Sequence, residues 1–432
     1  MKSLRVVVVV LVITAMLTVG VVTLSAETAS HGQADADEFE PSYASQPTQP
    51  TQSVQTVEGG DGGVINTLAV PTDDIERSDL RRQHADLGPA AGFDAGVTTD
   101  RLVTHAIVAE LDAAANDDER LDRIDSELSE LETEVIDLED DQQETIQEFS
   151  DGTLEPRELV ESLATIHLKA ATYRERMNTL EAYADEIDDD ALSDGRLQRI
   201  EYDLRMLESP VRGHAVEVLR GEQPANRIMI ETGNDEIALA AIDDDGTYIR
   251  EVNRQGLRGS GTATLTPDQP EEITEQQYPV LWERSTSWSS DGTGSVFMMS
   301  VNYPGGELRT FIDGVSEQTF IEHKRVPLTG INTGETTTKV QDGLNVTVDQ
   351  TYAGGPFRVT VTDADTGEPV AATVTVAQDN QESQSVGTAD EDGVVWAVSP
   401  REPFTITILG EETAAAFVDI DPPSPESATA TE

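Results

Sequence analysis

No cysteine occurs in the 432 residues, which excludes disulfide staples, thiolate metal sites and a thiol nucleophile. Each folded unit must close an apolar core of its own. Basic residues are also scarce: 28 Lys and Arg stand against 83 Asp and Glu, a formal net charge of -55. Such a field repels DNA, RNA and anionic lipid headgroups, so nucleic acid is excluded as a partner. It would strain the compact state at low ionic strength, whereas ~1 M salt shortens the Debye length to about 3 Å and screens most of the repulsion. The acidic excess runs through periodic segments as well as tails, and a hypersaline habitat is the expectation.

Signatures of catalysis are missing too. The chain has no Gly-x-Ser-x-Gly, no His-Glu-x-x-His, no Walker-type lysine loop and no Rossmann glycine cluster after a strand. Six histidines are scattered through it. Sequence distance leaves open a triad of His323 with Ser285 or Ser287, yet no context marks a nucleophile or a base. No cofactor and no metal is implied.

What is present begins with Lys2 and Arg5, followed by an unbroken apolar run over residues 6–24. At 1.5 Å per residue the run reaches about 28 Å, close to the hydrocarbon thickness of a bilayer. It predicts an export signal or a membrane span, with the positive end retained inside and the bulk of the protein on the outer side. Ser25-Ala26-Glu27-Thr28-Ala29 offers only imperfect cleavage sites, so secretion and anchoring both stay open. Polar residues, Gly and Pro then dominate to residue 70, a composition that cannot bury enough surface to fold and predicts a spacer.

Apolar residues next fall at Leu121, Ile124, Leu128, Leu131, Val135 and Leu138, a heptad seam continued more weakly through Gln142 and Thr145 to Phe149. A second seam runs Leu159, Leu163, Ile166, Ala170, Tyr173, Met177, Leu180, Ala184 and Ile187. Between them, Gly152 and Pro156 mark the end of one helix and the start of the next, which should be antiparallel neighbours. Leu197, Ile200, Leu204, Leu207 and Val211 give a third stripe. Leu102, Val103, Ala106, Ile107 and Leu111 place an earlier helix from about Thr99 or Asp100. The seams could also pair between two chains, so self-association through this region is an expectation. Asp151-Gly152 with Glu158 superficially suggests a calcium loop, but Phe149 would occupy a ligand position without a side-chain oxygen, and a helix-connecting turn explains the residues. His167, beside Ile166, has no second His three or four positions away and reads as a flank residue.

Beyond Gly221 the period changes. Residues 227–231, 236–242 and 247–252 read as strands, the last two joined by Asp243-Asp244-Asp245-Gly246, acids that suit a turn better than a cation site. Residues 258–276 read as loop, and 295–301, 307–312 and 319–326 as further strands. Trp282 and Trp288 supply core or face a ligand, and with no polar constellation marked around them core is the expectation. Alternation is cleanest over 357–363 and 370–376, with strands again at 394–398, 404–409 and 415–420, the pattern of a β-sandwich.

Within that portion, Val359-Thr360-Val361-Thr362-Asp363, Thr366-Gly367-Glu368-Pro369-Val370 and Thr388-Ala389-Asp390-Glu391-Asp392-Gly393 resemble the carboxypeptidase-regulatory-like, transthyretin-like β-sandwich modules of secreted proteins. The resemblance covers about residues 340–420 and implies an accessory or adhesive module without catalytic residues. The whole layout is similar to uncharacterised cell-surface proteins of halophilic archaea.

The expected fold is therefore multidomain α+β: an export signal or membrane anchor (1–29), a disordered spacer (30–70), an antiparallel helical bundle or coiled-coil hairpin (71–224), a mixed β-rich domain (225–335), a transthyretin-like β-sandwich (336–420) and a disordered tail (421–432). The function it implies is a non-catalytic cell-surface structural or binding protein of a halophile. An accessory or sensory ectodomain of an envelope complex is the alternative, with a secreted hydrolase behind it. Expected partners are cell-envelope proteins or a surface polymer, and the membrane through residues 6–24. Asn345-Val346-Thr347 is the sole Asn-x-Ser/Thr sequon, making Asn345 the candidate for glycosylation.

Overall fold

The computed structural model describes residues 55–59, 63–188, 192–233, 235–378, 383–389, 391–410 and 414–423. Strands β1 (Gln55–Gly59) and β2 (Gly63–Thr67) pair as an antiparallel hairpin inside the segment expected as spacer. Residues 30–54 of that segment, and the tail from residue 424, lie outside the described residues.

After β3 (Arg77–Gln83), helix α1 (Leu87–Ala113) starts where the Asp86 carboxylate accepts the Gly88 N–H at 2.9 Å. It begins a dozen residues before the expected point. Three glycines in its first turns each cost about 1 kcal/mol against Ala, but Phe93 is buried there against Ala164, Val216 and Leu219. Helix α2 (Asp117–Ser150) is capped by the Asn116 side chain, and Asp117, Asp118 and Glu119 complement the positive end of its dipole. Its seam is buried from Ile124 to Leu138 and continues through Gln142, Ile146 and Phe149. Ile146, not Thr145, takes the late core position.

Helix α3 (Pro156–Asp185) opens with Pro156 at its first position and a reciprocal capping box between Glu155 and Glu158. The Glu158 carboxylate thus closes a helix end. Leu159, Leu163, Ile166, Ala170, Tyr173 and Met177 join the α2 seam in one core, so the two stripes close on each other within the chain. The third stripe is two helices, α4 (Asp194–Leu207) and α5 (Pro210–Arg220). Pro210 has no N–H to give and pushes Ser209 out of the helical region, which ends one helix and starts another.

The helices are an insertion between adjacent strands. Strand β3 pairs with β4 (Asn226–Gly233), followed by β5 (Glu236–Ile242) and β6 (Thr247–Arg254). Helices α6 (Gln269–Gln277) and α7 (Pro279–Glu283) occupy part of the stretch expected as loop, before β7 (Ser287–Thr293), β8 (Val296–Tyr303), β9 (Gly306–Asp313) and β10 (Gln318–Pro327). All seven lie with β3 in one antiparallel sheet of order β3-β4-β5-β6-β10-β9-β8-β7. One face, through Ile228, Ile230, Leu239, Ala241 and Ile249, shares the core of the helices. The other meets Leu68 and Val70 through Ala238 and Val252, and Val398 of the next unit through Met229, Ala240 and Tyr248.

That unit is a sandwich. Strands β11 (Thr336–Gln341), β12 (Leu344–Asp349), β13 (Pro356–Asp363) and β16 (Val394–Val398) form one sheet; β14 (Ala372–Gln378), β15 (Gln384–Ala389), β17 (Phe404–Leu409) and β18 (Ala415–Ile420) form the other. Alternate residues such as Val346, Val348, Val359, Val374, Ile406 and Val418 fill the space between. Gly393 has φ 68°, and a Cβ there would lie 2.5 Å from the Val361 carbonyl oxygen, so this turn admits no other residue without a shift.

Among the described residues no helix is long and apolar enough to cross a membrane. The long helices α1–α3 expose charged faces that hydrocarbon would not accept. The run 6–24, to which a span was assigned, lies outside the described residues. The expected fold class is corrected accordingly: helices and several β-sheets, with no membrane-spanning helix among the described residues. The membrane attachment through residues 6–24 and the anchored location are corrected on that ground, and the envelope partners and outer-side location inferred from the same run find no support among the described residues.

Candidate functional site

Strands β6 and β10 run side by side with Glu251 opposite His323, both on the face turned toward the helices. Strand alternation puts a carboxylate where Ile249 otherwise continues the core. The start of α5 answers it. Glu251 accepts from Arg212 Nε at 2.8 Å, from the Val211 N–H at 3.2 Å and from the Ser209 hydroxyl, and a second Arg212 nitrogen donates to Gln142 of α2. The Arg212 and Glu251 side chains are only 2 % and 3 % exposed. A pair this dry adds little net stability as a pair, but removing one partner strands the other at a cost of about 3–5 kcal/mol.

Beside it opens a cavity of about 250 Å³, lined by His167 of α3, Glu208, Ser209 and Pro210 at the α5 start, Glu307 and Arg309 of β9, and His323 and Arg325 of β10. His167 Nδ1 accepts the Ser209 N–H at 3.2 Å. Burial, then Arg212 and Arg174, push the His167 ring down to about 4; burial, then Arg309, Arg212, Arg325 and His167, push His323 down to about 3. Both rings are neutral at ordinary pH. The Ser209 hydroxyl is bonded to Glu251 and neither ring accepts from it, so serine and histidine share a cavity without forming a relay.

The opposite face of the sheet buries a second charged group. Glu322 accepts from Arg250 at 2.8 Å and from the Leu68 N–H at 2.8 Å, with the Lys324 ammonium 3.3 Å away. Burial pushes Lys324 down to about 8 against the pull of Glu322. Glu231 accepts from Arg401 of the sandwich at 3.2 Å. A third set lies where α2 and α4 face the β7–β8 turn, around a cavity of about 320 Å³. Burial and then Asp203 push Glu139 up to about 7, while burial pushes Asp203 up to about 6 against Arg258 and Arg199.

The structure separates the other residues that sequence singled out. Ser287 lies three strands from β10, roughly 14 Å by strand spacing, and its hydroxyl accepts from Asn302. Ser285, whose N–H donates to the Trp282 carbonyl just before β7, lies at the same far edge of the sheet, so neither serine meets His323. Asp243 accepts the Thr247 N–H at 2.8 Å and Gly246 takes φ 73°, so the acidic run is a hairpin turn. Among the described residues no group of three or more His, Asp or Glu is disposed to hold a metal. Trp282 is half-buried and packs against Trp288 with ring centroids 5.7 Å apart, but Trp288 is 45 % exposed on the edge strand β7, outside the core expected for it. Asn345 sits half-buried on the outer side of β12, its Nδ2 donating to Thr362 Oγ1 at 3.3 Å.

Ser209, Arg212, Glu251, Arg250 and Glu322 were not singled out by sequence. Ser209-Pro210 is a helix-start signal that was available. Arg250-Glu251 reads locally as one more charged pair in an acidic chain, and only strand pairing gives it meaning.

Residues 1–224 match the domain of unknown function DUF7096, residues 228–332 the family of unknown function DUF7094, and residues 335–417 an archaeal fibronectin-III type-like domain. The sandwich expected from the carboxyl-terminal alternation is present, and the module it matches is the archaeal fibronectin-III type, not specifically the carboxypeptidase-regulatory-like one. No curated protein and no solved structure matches the chain.

Proposed function

This chain belongs to the DUF7096 family, whose domain covers 224 of its 432 residues, and on that footing we propose that it is a non-catalytic structural or binding protein of a salt-adapted cell. The observation that carries the reading is the Ser209 hydroxyl bonded to Glu251 inside a cavity that also holds two histidines. The hydroxyl that could have been a nucleophile is bonded instead to Glu251, which joins α5 to the sheet, and neither histidine accepts from it. Buried ion pairs recur at each junction: Arg212 with Glu251 between helices and sheet, and Arg401 with Glu231 between sheet and sandwich. They favour a rigid composite body over a hinged one, which suits a protein that acts by contact. The charge of -55 supports salt adaptation.

The test is an assay of the purified full chain, in molar KCl, against generic ester, peptide, glycoside and phosphoester substrates, beside crosslinking in native cells followed by identification of what residues 225–420 touch. Reproducible crosslinks to one specific partner without turnover support the proposal. Turnover abolished by Ser209→Ala or His167→Asn overturns it.

A further inference from the structure

We propose that the cavity at the start of α5 binds a phosphate group. The inference deepens the binding reading above and rests on it, since it supplies a ligand class to a site with no assigned chemistry.

The first argument is charge placement. In a chain where acids outnumber bases about threefold, this cavity collects Arg309 and Arg325. The rim carboxylate of Glu208 is already held by two bonds of 2.8 Å from Arg174. Arg309 reaches Glu307 only at 3.4 Å, and its buried Nε has no hydrogen-bond partner. Arg325 is exposed and enters no ion pair among the described residues.

The second is His323. Its ring is 7 % exposed, lines the cavity, meets the Phe311 ring edge-on at 5.9 Å and makes no hydrogen bond among the described residues. A polar side chain this buried normally has a partner, and a missing one points to a ligand.

Geometry then narrows the class. Arg309 is the direct cross-strand partner of His323, about 5 Å away between Cβ atoms, and Arg325 follows His323 by two residues on the same face, roughly 7 Å along the strand. The start of α5 walls the remaining side, its Val211 N–H and Ser209 hydroxyl already donating to Glu251, so the donors left for a ligand are the two guanidiniums and the His323 ring. Donors at that spacing suit a tetrahedral oxyanion better than a planar carboxylate, and two guanidinium forks suit phosphate best. The cavity is larger than phosphate alone and leaves room for an esterified sugar.

The experiment titrates the full chain, in molar KCl, with inorganic phosphate and separately with a hexose phosphate, each against added KCl of equal ionic strength. Thermal midpoint and the long-range proton–nitrogen spectrum of the histidine rings are read. A saturable rise in midpoint and a shift of the His323 resonances are expected with phosphate and not with KCl. Arg325→Gln should weaken the apparent affinity about tenfold or more, and His323→Gln likewise. Arg325 is exposed, so its variant keeps the fold and decides the matter if the His323 variant does not. Tighter binding of the ester than of the free ion identifies an ester as the source, and the reverse identifies the free ion. No saturable response, or an unchanged one in Arg325→Gln, overturns the inference and leaves the non-catalytic reading intact. Hydrolysis of the ester at this site would keep the phosphate site and overturn the non-catalytic reading.

Discussion

The Arg77 guanidinium lies 4.0 Å from the centroid of the Phe149 ring and donates to the carbonyl oxygens of Phe149 and Leu154, at 2.9 and 2.8 Å. A residue of the edge strand β3 thereby satisfies carbonyls at the end of α2 and in its turn into α3, groups that a helix terminus leaves without partners. Arg77→Ala should lower stability by about 2–3 kcal/mol, through two charge-assisted hydrogen bonds and one cation–π contact. Amide exchange should speed up first at residues 151–155. Unchanged exchange there would show that the turn holds without the arginine.

Leu163 is 1 % exposed in the core shared by α2 and α3. Leu163→Asp should cost several kcal/mol, since an unpaired buried charge is among the most expensive single changes. An unchanged thermal midpoint in molar salt would refute the packing of the two seams.

The buried histidines and carboxylates predict opposite pH dependences. His167 and His323 titrate in the fold at about 4 and about 3 against an ordinary 6.5. The unfolded chain therefore binds more protons between those values, and stability present above pH 6.5 is lost on acidification. Glu139 titrates at about 7 against 4.5, so its contribution is present below pH 4.5 and lost as pH rises to 7. Glu139→Gln should leave stability at pH 4 nearly unchanged and raise it above pH 7 by on the order of 2 kcal/mol. Paired denaturation curves at the two pH values check this, and equal shifts at both would contradict it.

A charge of -55 predicts a thermal midpoint that climbs steeply with KCl and flattens near molar concentrations, where the Debye length is about 3 Å. Stability independent of salt between ~0.1 and ~2 M would count against a salt-adapted origin.

Asn345 faces outward from β12 and would give up only a 3.3 Å bond to Thr362 on modification. A glycan mass on the peptide spanning it is expected in protein from its own cells, and an unmodified peptide rejects the proposal.

Local periodicity carried much of this fold. Ile124, Leu128, Leu131, Leu163 and Ile166 announce helical faces, and Val359, Val361, Val374 and Val376 announce strand faces, because each pattern is fixed by neighbours within a few residues. Composition alone excluded disulfides. Local signals failed where a distant contact outweighed them: Phe93 draws α1 back through three glycines by packing on Ala164 and Leu219. The fate of the charged residues was decided only in three dimensions. Glu251 meets Arg212 across 39 positions and Glu322 meets Arg250 across 72, distances over which no residue pattern specifies a partner. In a chain so rich in acids every carboxylate looks like a solvated face. Strand register alone puts His323 beside Arg309 and opposite Glu251, and pairing at that range depends on the whole sheet closing, not on any property of the residues that meet.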